Sequence, residues 1–454
     1  MATEVAVINS GSGVQTFYST YAAARLAASA LDLIQIWADL TDEQILLKDK
    51  VDVSIAPGRI INMTSALPTI VDNDSGYATA VTCNITGYGI IKNDNNSGNC
   101  IKIINGSSNV SIQCDSIEGL GGVGVTGDPY EGASVLVTNI TDAQKFSLIC
   151  NKVINQYNAA IAFDTVTNGT NKNTINIKVK RIDTGVVDDD FGGPGLAIKG
   201  TGFIDIEEII CYNNNQCLLF QGGTVIANIL KMTTRNINHF SAPYVPAVEV
   251  SGGDGTQKLT LYFDEIQILS VGGDAVKISN GTATLIGRRT YSQSGLSMDL
   301  SSNAECLVDE IISGTKGIYI HNGSSQKIII EANYIEGSNG NDGVIKSATG
   351  SNYVLRNAKI KNTYTRSSLP YSRGIYIDDG NANDQSIEIE NLIIVTGIGT
   401  NDFSIFRNGS NNIDIKNLGL FVKRKKSDNV MLKIGTGIEP PDGNFKYIIS
   451  TDIT

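Results

Sequence analysis

Histidine is almost missing from this chain: His239 and His321 are the two in 454 residues. No CxxC occurs, and the seven cysteines (Cys83, Cys100, Cys114, Cys150, Cys211, Cys217, Cys306) form an odd, scattered set. These gaps exclude the usual zinc-ligand patterns and point to reduced cysteines serving as small core residues. No apolar run approaches the ~18 residues of a membrane span, so membrane insertion is not expected. The opening Met1-Ala2-Thr3-Glu4 has no basic stretch followed by an apolar one, so no secretory signal is read there. Positive charge is in deficit, with 35 Lys and Arg against 46 Asp and Glu and a net charge of −11. Nucleic acid needs a basic footprint and is not expected as a partner. The one basic run, Lys423-Arg424-Lys425-Lys426, reads as a solvated or partner-docking loop.

Proline is also scarce, at 9, while glycine reaches 47 and asparagine is nearly as frequent. Both tolerate the left-handed backbone, so they mark many tight turns rather than long helices. Hydrophobic residues make up 41%, enough for a large core and too many for a disordered chain. Many turns, few prolines and ample apolar material point to a repetitive β architecture.

The repeat is visible from about residue 98, as a degenerate unit of roughly 20–35 residues. Units open at Cys100–Ile103, Ala133–Val137, Ala159–Phe163, Gly195–Ile198, Cys217–Phe220 and Ala247–Val250, and continue at Ala275–Ile278, Leu296–Leu300, Gly317–Ile320, Gly343–Ile345, Gly374–Ile377 and Phe403–Phe406. Most openings lead through a turn into a second strand. Asn-Gly followed by Ser or Thr recurs at Asn105, Asn168, Asn280, Asn322 and Asn408. These positions are read as positive-φ corners rather than as glycosylation acceptors. Two or three short strands per unit fit a parallel β-helix better than a propeller, whose blades need four. The expected fold is therefore all-β: a right-handed parallel β-helix solenoid of about a dozen coils with a short N-terminal capping α-helix.

That helix is expected over residues 17–31, capped by Ser19 or Thr20, with Phe17, Tyr21, Ala24, Ala28 and Leu31 on one face. It is followed by the alternating strand Leu33–Trp37, then Val51–Ile55 with the turn Ala56-Pro57-Gly58, then Ile85–Ile91 with Gly87-Tyr88-Gly89. This order resembles the opening of pectin-lyase-like right-handed β-helix proteins, in which the first helix plugs the open end of the solenoid. The domain reading is an N-terminal extension and attachment segment over 1–16, a capping helix and first coils over 17–92, the parallel β-helix over 93–422, and a C-terminal cap or tail over 423–454.

Chemistry is sought in the insertions between coils. Asp188-Asp189-Asp190 is the acid–base candidate, with Asp188 and Asp190 as candidate Ca2+ ligands; a solvated acidic loop is the simpler reading. No other cofactor is implied. Tyr130, Glu131, Phe191, Tyr364, Tyr371 and Arg373 are the candidate glycan contacts, the aromatic faces for sugar C–H groups and the charged groups for hydroxyls. Gly122, Gly124 and Gly127 match GxGxxG, but no helix pattern follows to complete a phosphate cradle. Polygalacturonase-like enzymes carry Gly-His-Gly and Arg-Ile-Lys. Here both histidines lie outside such a motif and read as structural side chains beside turns, and Arg181-Ile182-Asp183 ends in an acid.

The architecture resembles that of bacteriophage tailspikes and fibres. The resemblance implies a virion appendage that recognises a host surface polysaccharide, normally a homotrimer, assembled in a host cytoplasm with other virion proteins. A polysaccharide lyase or glycoside hydrolase, on a virion or extracellular, is the alternative, and a bacterial surface adhesin the third reading. A carboxylate pair or an Arg or Lys base on one face would separate enzyme from spike.

Overall fold

The computed structural model describes residues 5–72, 80–105, 107–121, 132–138, 144–163, 174–185, 193–212, 216–235, 245–253, 255–269, 272–321, 326–339, 342–348, 351–363 and 373–378, and the strand backbones 385–390, 392–395, 403–408, 413–416, 419–423 and 446–450. Backbone contacts divide the chain into two compact units, Met1–Pro243 with Thr256–Lys258, and Tyr244–Gly255 with Leu259–Thr454. Both are built from parallel coils, and the chain adopts the right-handed parallel β-helix expected from its repeat.

Every one of the twelve repeat openings becomes a short strand paired in parallel. Each unit holds seven such strands among the described residues, Ile45–Leu46 to Leu218–Gly222 in the first and Val248–Val250 to Phe403–Asn408 in the second. The second strand of most coils is long, about eleven residues, as in Lys145–Asn155, and its inward positions change phase midway. Phe146, Leu148 and Cys150 are buried, then Val153 and Asn155. Two successive outward residues, Asn151 and Lys152, make a corner there, so one strand serves two faces of the coil. Inward Ile, Val and Leu stack on their in-register neighbours; Ile112, Leu148, Ile177, Ile204 and Ala227 form one such column.

The far end of the long strands carries a polar ladder: Asn93, Gly119, Asn155, Thr184, Cys211 and Thr234 are successive register partners. Asn155 is fully buried, accepts from the N–H groups of Tyr157 and Asn158, and donates to Gly132 O. Asn93 donates to Leu67 O and Asn99 O in the same manner. This corrects the reading of asparagine as chiefly a left-handed corner residue. Of the described asparagines only Asn357 has a positive φ; at Asn280-Gly281 the glycine takes the left-handed turn (φ 76°). Buried asparagine amides instead satisfy the turn backbone, which would otherwise lie unpaired inside the coil.

The N-terminal helix is shorter than the expected span. It runs Tyr21–Ala27 and is capped by Thr20, whose hydroxyl accepts from Ala23 N–H. Tyr21, Ala24 and Ala28 are buried as predicted, but Phe17 and Leu31 are half to three-quarters exposed. Phe17 belongs to the strand Gln15–Tyr18, antiparallel to Val5–Ile8, which is in turn antiparallel to Leu33–Ile36. The helix stops at Ala28 because Asp32 takes the chain over, accepting from Ser29 N–H and Ser10 N–H. Lys48 donates to Arg25 O and Ala28 O, carbonyls that the last turn cannot satisfy itself. Tyr21 donates to Leu46 O, which ties the helix to the first coil.

Candidate functional site

The middle residue of each short strand points away from the coil interior, and its chemistry differs between the two units. In the first, Leu136, Ala162 and Ala197 are in register and buried, packed with Ala133 and Ala159 in an apolar cluster. Strand Val135–Val137 is thus covered on both faces. In the second unit the same column reads Glu249, Lys277, Asp299, Tyr319, Lys346 and Tyr376. Parallel strands about 4.8 Å apart bring these side chains into one row.

One end of the row holds two carboxylates and an imidazole. His321, just past strand Ile318–Ile320, places Nε2 2.5 Å from Asp299 Oδ1, an ion pair when the imidazole is protonated. Its ring packs on Tyr319, centroids 4.1 Å apart. Asp299 is 9% exposed. Asp274 lies two residues ahead of strand Val276–Ile278 and accepts from Leu296 N–H at 2.8 Å. Burial pushes its carboxyl up to about 6, with the Asp299 charge adding to the rise, against that hydrogen bond and the charges of Lys277 and His321. The arrangement sets one carboxyl whose titration is raised toward neutral beside another held against a base, the pairing that acid–base chemistry requires.

The other end is cationic and aromatic. Lys316 and Lys346 bind the two oxygens of Asp342 at 2.6 and 3.3 Å. Burial pushes the Asp342 carboxyl up, but the two ammonium groups outweigh it and hold it below its ordinary range. Lys346 Nζ sits 5.6 Å from the ring centres of both Tyr319 and Tyr376. Arg373, a sequence candidate for glycan contact, stacks its guanidinium 4.9 Å from the Tyr376 ring centre. Tyr376 is itself only 9% exposed, so the reachable groups here are cations laid over aromatic rings, not bare rings.

Of the other sequence candidates, Tyr130, Glu131, Asp188, Asp189, Asp190, Phe191, Tyr364 and Tyr371 lie outside the described residues, as do Gly122 to Gly127, His239 and Arg424 to Lys426. No group of three or more His, Cys, Asp or Glu side chains with metal-binding geometry occurs among the described residues. Arg181-Ile182-Asp183 has a structural role: Asp183, nearly buried, accepts from Arg181 Nε with both oxygens at 3.0 Å and pairs with Lys152 at 3.5 Å, while Arg181 reaches Glu208 on the next coil at 3.3 Å. The sequence reading missed Asp274, Asp299, Tyr319, Lys346 and Tyr376 as a group. Four of them, Asp299, Tyr319, Lys346 and Tyr376, are middle residues of the short strands, at positions equivalent to Leu136, Ala162 and Ala197 of the first unit.

Comparison with known proteins finds no matching family model, no matching curated protein and no matching solved structure.

Proposed function

We propose that this chain is a virion appendage of a bacteriophage, a β-helix spike or fibre that recognises a surface glycan of its host through the charged row of the second unit. The observation that carries the reading is the row itself: Asp299, Tyr319 and Lys346 in register on one sheet, flanked by His321, Lys316 and Arg373. A repeating polymer meets donors and acceptors spaced at regular intervals there, and cations and carboxylates can each take sugar hydroxyls. The resemblance to tailspikes and fibres supports the same reading and adds a homotrimer, other virion proteins as partners and assembly in a host cytoplasm. The test is binding of the purified chain to surface polysaccharides extracted from candidate hosts. Lys346→Ala and Arg373→Ala are each expected to weaken binding about tenfold, the loss of ~1.4 kcal/mol that one charge-assisted contact supplies. Unchanged affinity in both variants would sink the assignment of this face.

A second reading, cleavage of that glycan, is favoured by the Asp274, Asp299 and His321 group. Asp274 would protonate the glycosidic oxygen as its bond to carbon breaks. Asp299 would take a proton from the water that forms the new bond, the net change being addition of one water. Asp274→Asn and Asp299→Asn are expected to abolish release of reducing ends while leaving glycan binding within about threefold. A wild-type chain that binds its polysaccharide and releases no ends would reject cleavage and leave recognition standing.

A further inference from the structure

Cys114 and Cys150 are in-register partners on the adjacent parallel strands Asn109–Gly119 and Lys145–Asn155 of the first unit. Both are inward residues just before the strand corner, 3% and 5% exposed. Neighbouring strands lie about 4.8 Å apart, within the ~4.4–6.8 Å between Cα atoms that a disulfide spans. Cys150 Sγ lies over the corner backbone between the two strands, donating to Asp115 O at 3.4 Å. Cys150 Sγ also donates to Lys152 O at 2.9 Å. Cys211 and Cys217 form a second contacting pair, but both are fully buried. Access separates the two pairs. A groove of about 130 Å³ at the corner of the first unit is lined by Cys114 and Cys150 together with Ile149, Asn151, Lys178 and Glu207.

We propose that Cys114 and Cys150 are a modification site, a dithiol that a low-molecular-weight disulfide of the glutathione type converts to a staple between two consecutive coils. One thiol, as thiolate, attacks a sulfur of the reagent and releases one small thiol, leaving a mixed disulfide on the protein. The second protein thiol then attacks that protein sulfur and releases the other small thiol. The pair loses two electrons and two protons, and one small disulfide becomes two small thiols. The neighbouring Cys150 thiol, and then burial, hold the Cys114 thiol well above its usual range, so the first step quickens as pH rises. The site is independent of what the chain recognises.

The experiment incubates the full native chain with glutathione disulfide at pH 7 and pH 9, then blocks residual thiols under denaturing conditions and weighs the products. The expected result is loss of two of the seven thiols, faster at pH 9, and a single cross-linked peptide joining Cys114 to Cys150. Cys114→Ser and Cys150→Ser are each expected to form no cross-link, and the variant that keeps the attacking thiol is expected to stop at the mixed disulfide with five free thiols. Mapping the wild-type chain needs no variant to fold. Seven intact thiols after exhaustive treatment of the native chain, or a cross-link between any other pair, would overturn the proposal.

Discussion

At the scale of single residues, Asp274 sets a measurable pH dependence. Its carboxyl titrates at about 6 in the folded chain against 3.8 for the ordinary group. The folded state therefore keeps a proton that the unfolded state gives up. Stability from this residue is present below about pH 3.8 and is lost as pH rises to about 6, above which the penalty is constant. Asp274→Asn keeps an acceptor for Leu296 N–H and removes the ionisation. The variant is expected to match the wild type in denaturant unfolding at pH 4 and to exceed it by roughly 2 kcal/mol at pH 7.5. Equal stability at both pH values would show that Asp274 ionises freely. The sequence names Asp274 only as one of 46 acids. What raises it is burial beside Asp299, one coil further along, and no local motif records that neighbourhood. His321 was legible as the residue that follows a repeat opening, and it lies just past strand Ile318–Ile320. Its pairing with Asp299 was not, because the two are joined by ladder register and not by spacing.

At the scale of elements, glycine marks where coils approach each other most closely. Gly202 lies between Ile175 and Val225 on the neighbouring strands, and a Cβ there would stand 1.9 Å from Ile175 O. Gly13 has a positive φ of 68° and open space around it. The two glycines serve different ends, one steric and one conformational. Gly202→Ala is expected to cost about 3 kcal/mol by forcing two parallel strands apart. Gly13→Ala is expected to cost about 1 kcal/mol for the left-handed backbone. Similar melting shifts in the two variants would contradict this separation. The strands themselves were the most legible feature: all twelve repeat openings lie in the short-strand ladder. Apolar alternation fixes inward and outward positions, and stacking of equivalent positions follows from it. The helix was misjudged at both ends, since alanine-rich propensity extends past the point where antiparallel pairing of Gln15–Tyr18 and the Asp32 carboxylate take the backbone.

At the scale of the whole molecule, the question is whether the chain works alone. A coil contacts only its neighbours along the stack, so growth by repetition leaves the outward faces of the sheets without partners from the same chain. In the first unit the long-strand face exposes Phe203 and Ile226, in-register neighbours about half exposed. An exposed apolar pair of this kind on a long β face is what association of copies would cover. On the homotrimer of the proposed appendage, light scattering of the purified chain is expected to give about 145 kDa, three times the 48.4 kDa chain. The double variant Phe203→Glu with Ile226→Glu places two charges where copies would meet, and is expected to return the mass to that of one chain with the β-sheet circular dichroism unchanged. A 145 kDa wild type whose mass the variant does not alter would place the contact on another face. A wild-type mass of one chain would remove the trimer from the proposed appendage. The weight would then shift to a free-standing polysaccharide enzyme, for which Asp274 and Asp299 supply the acid and the base.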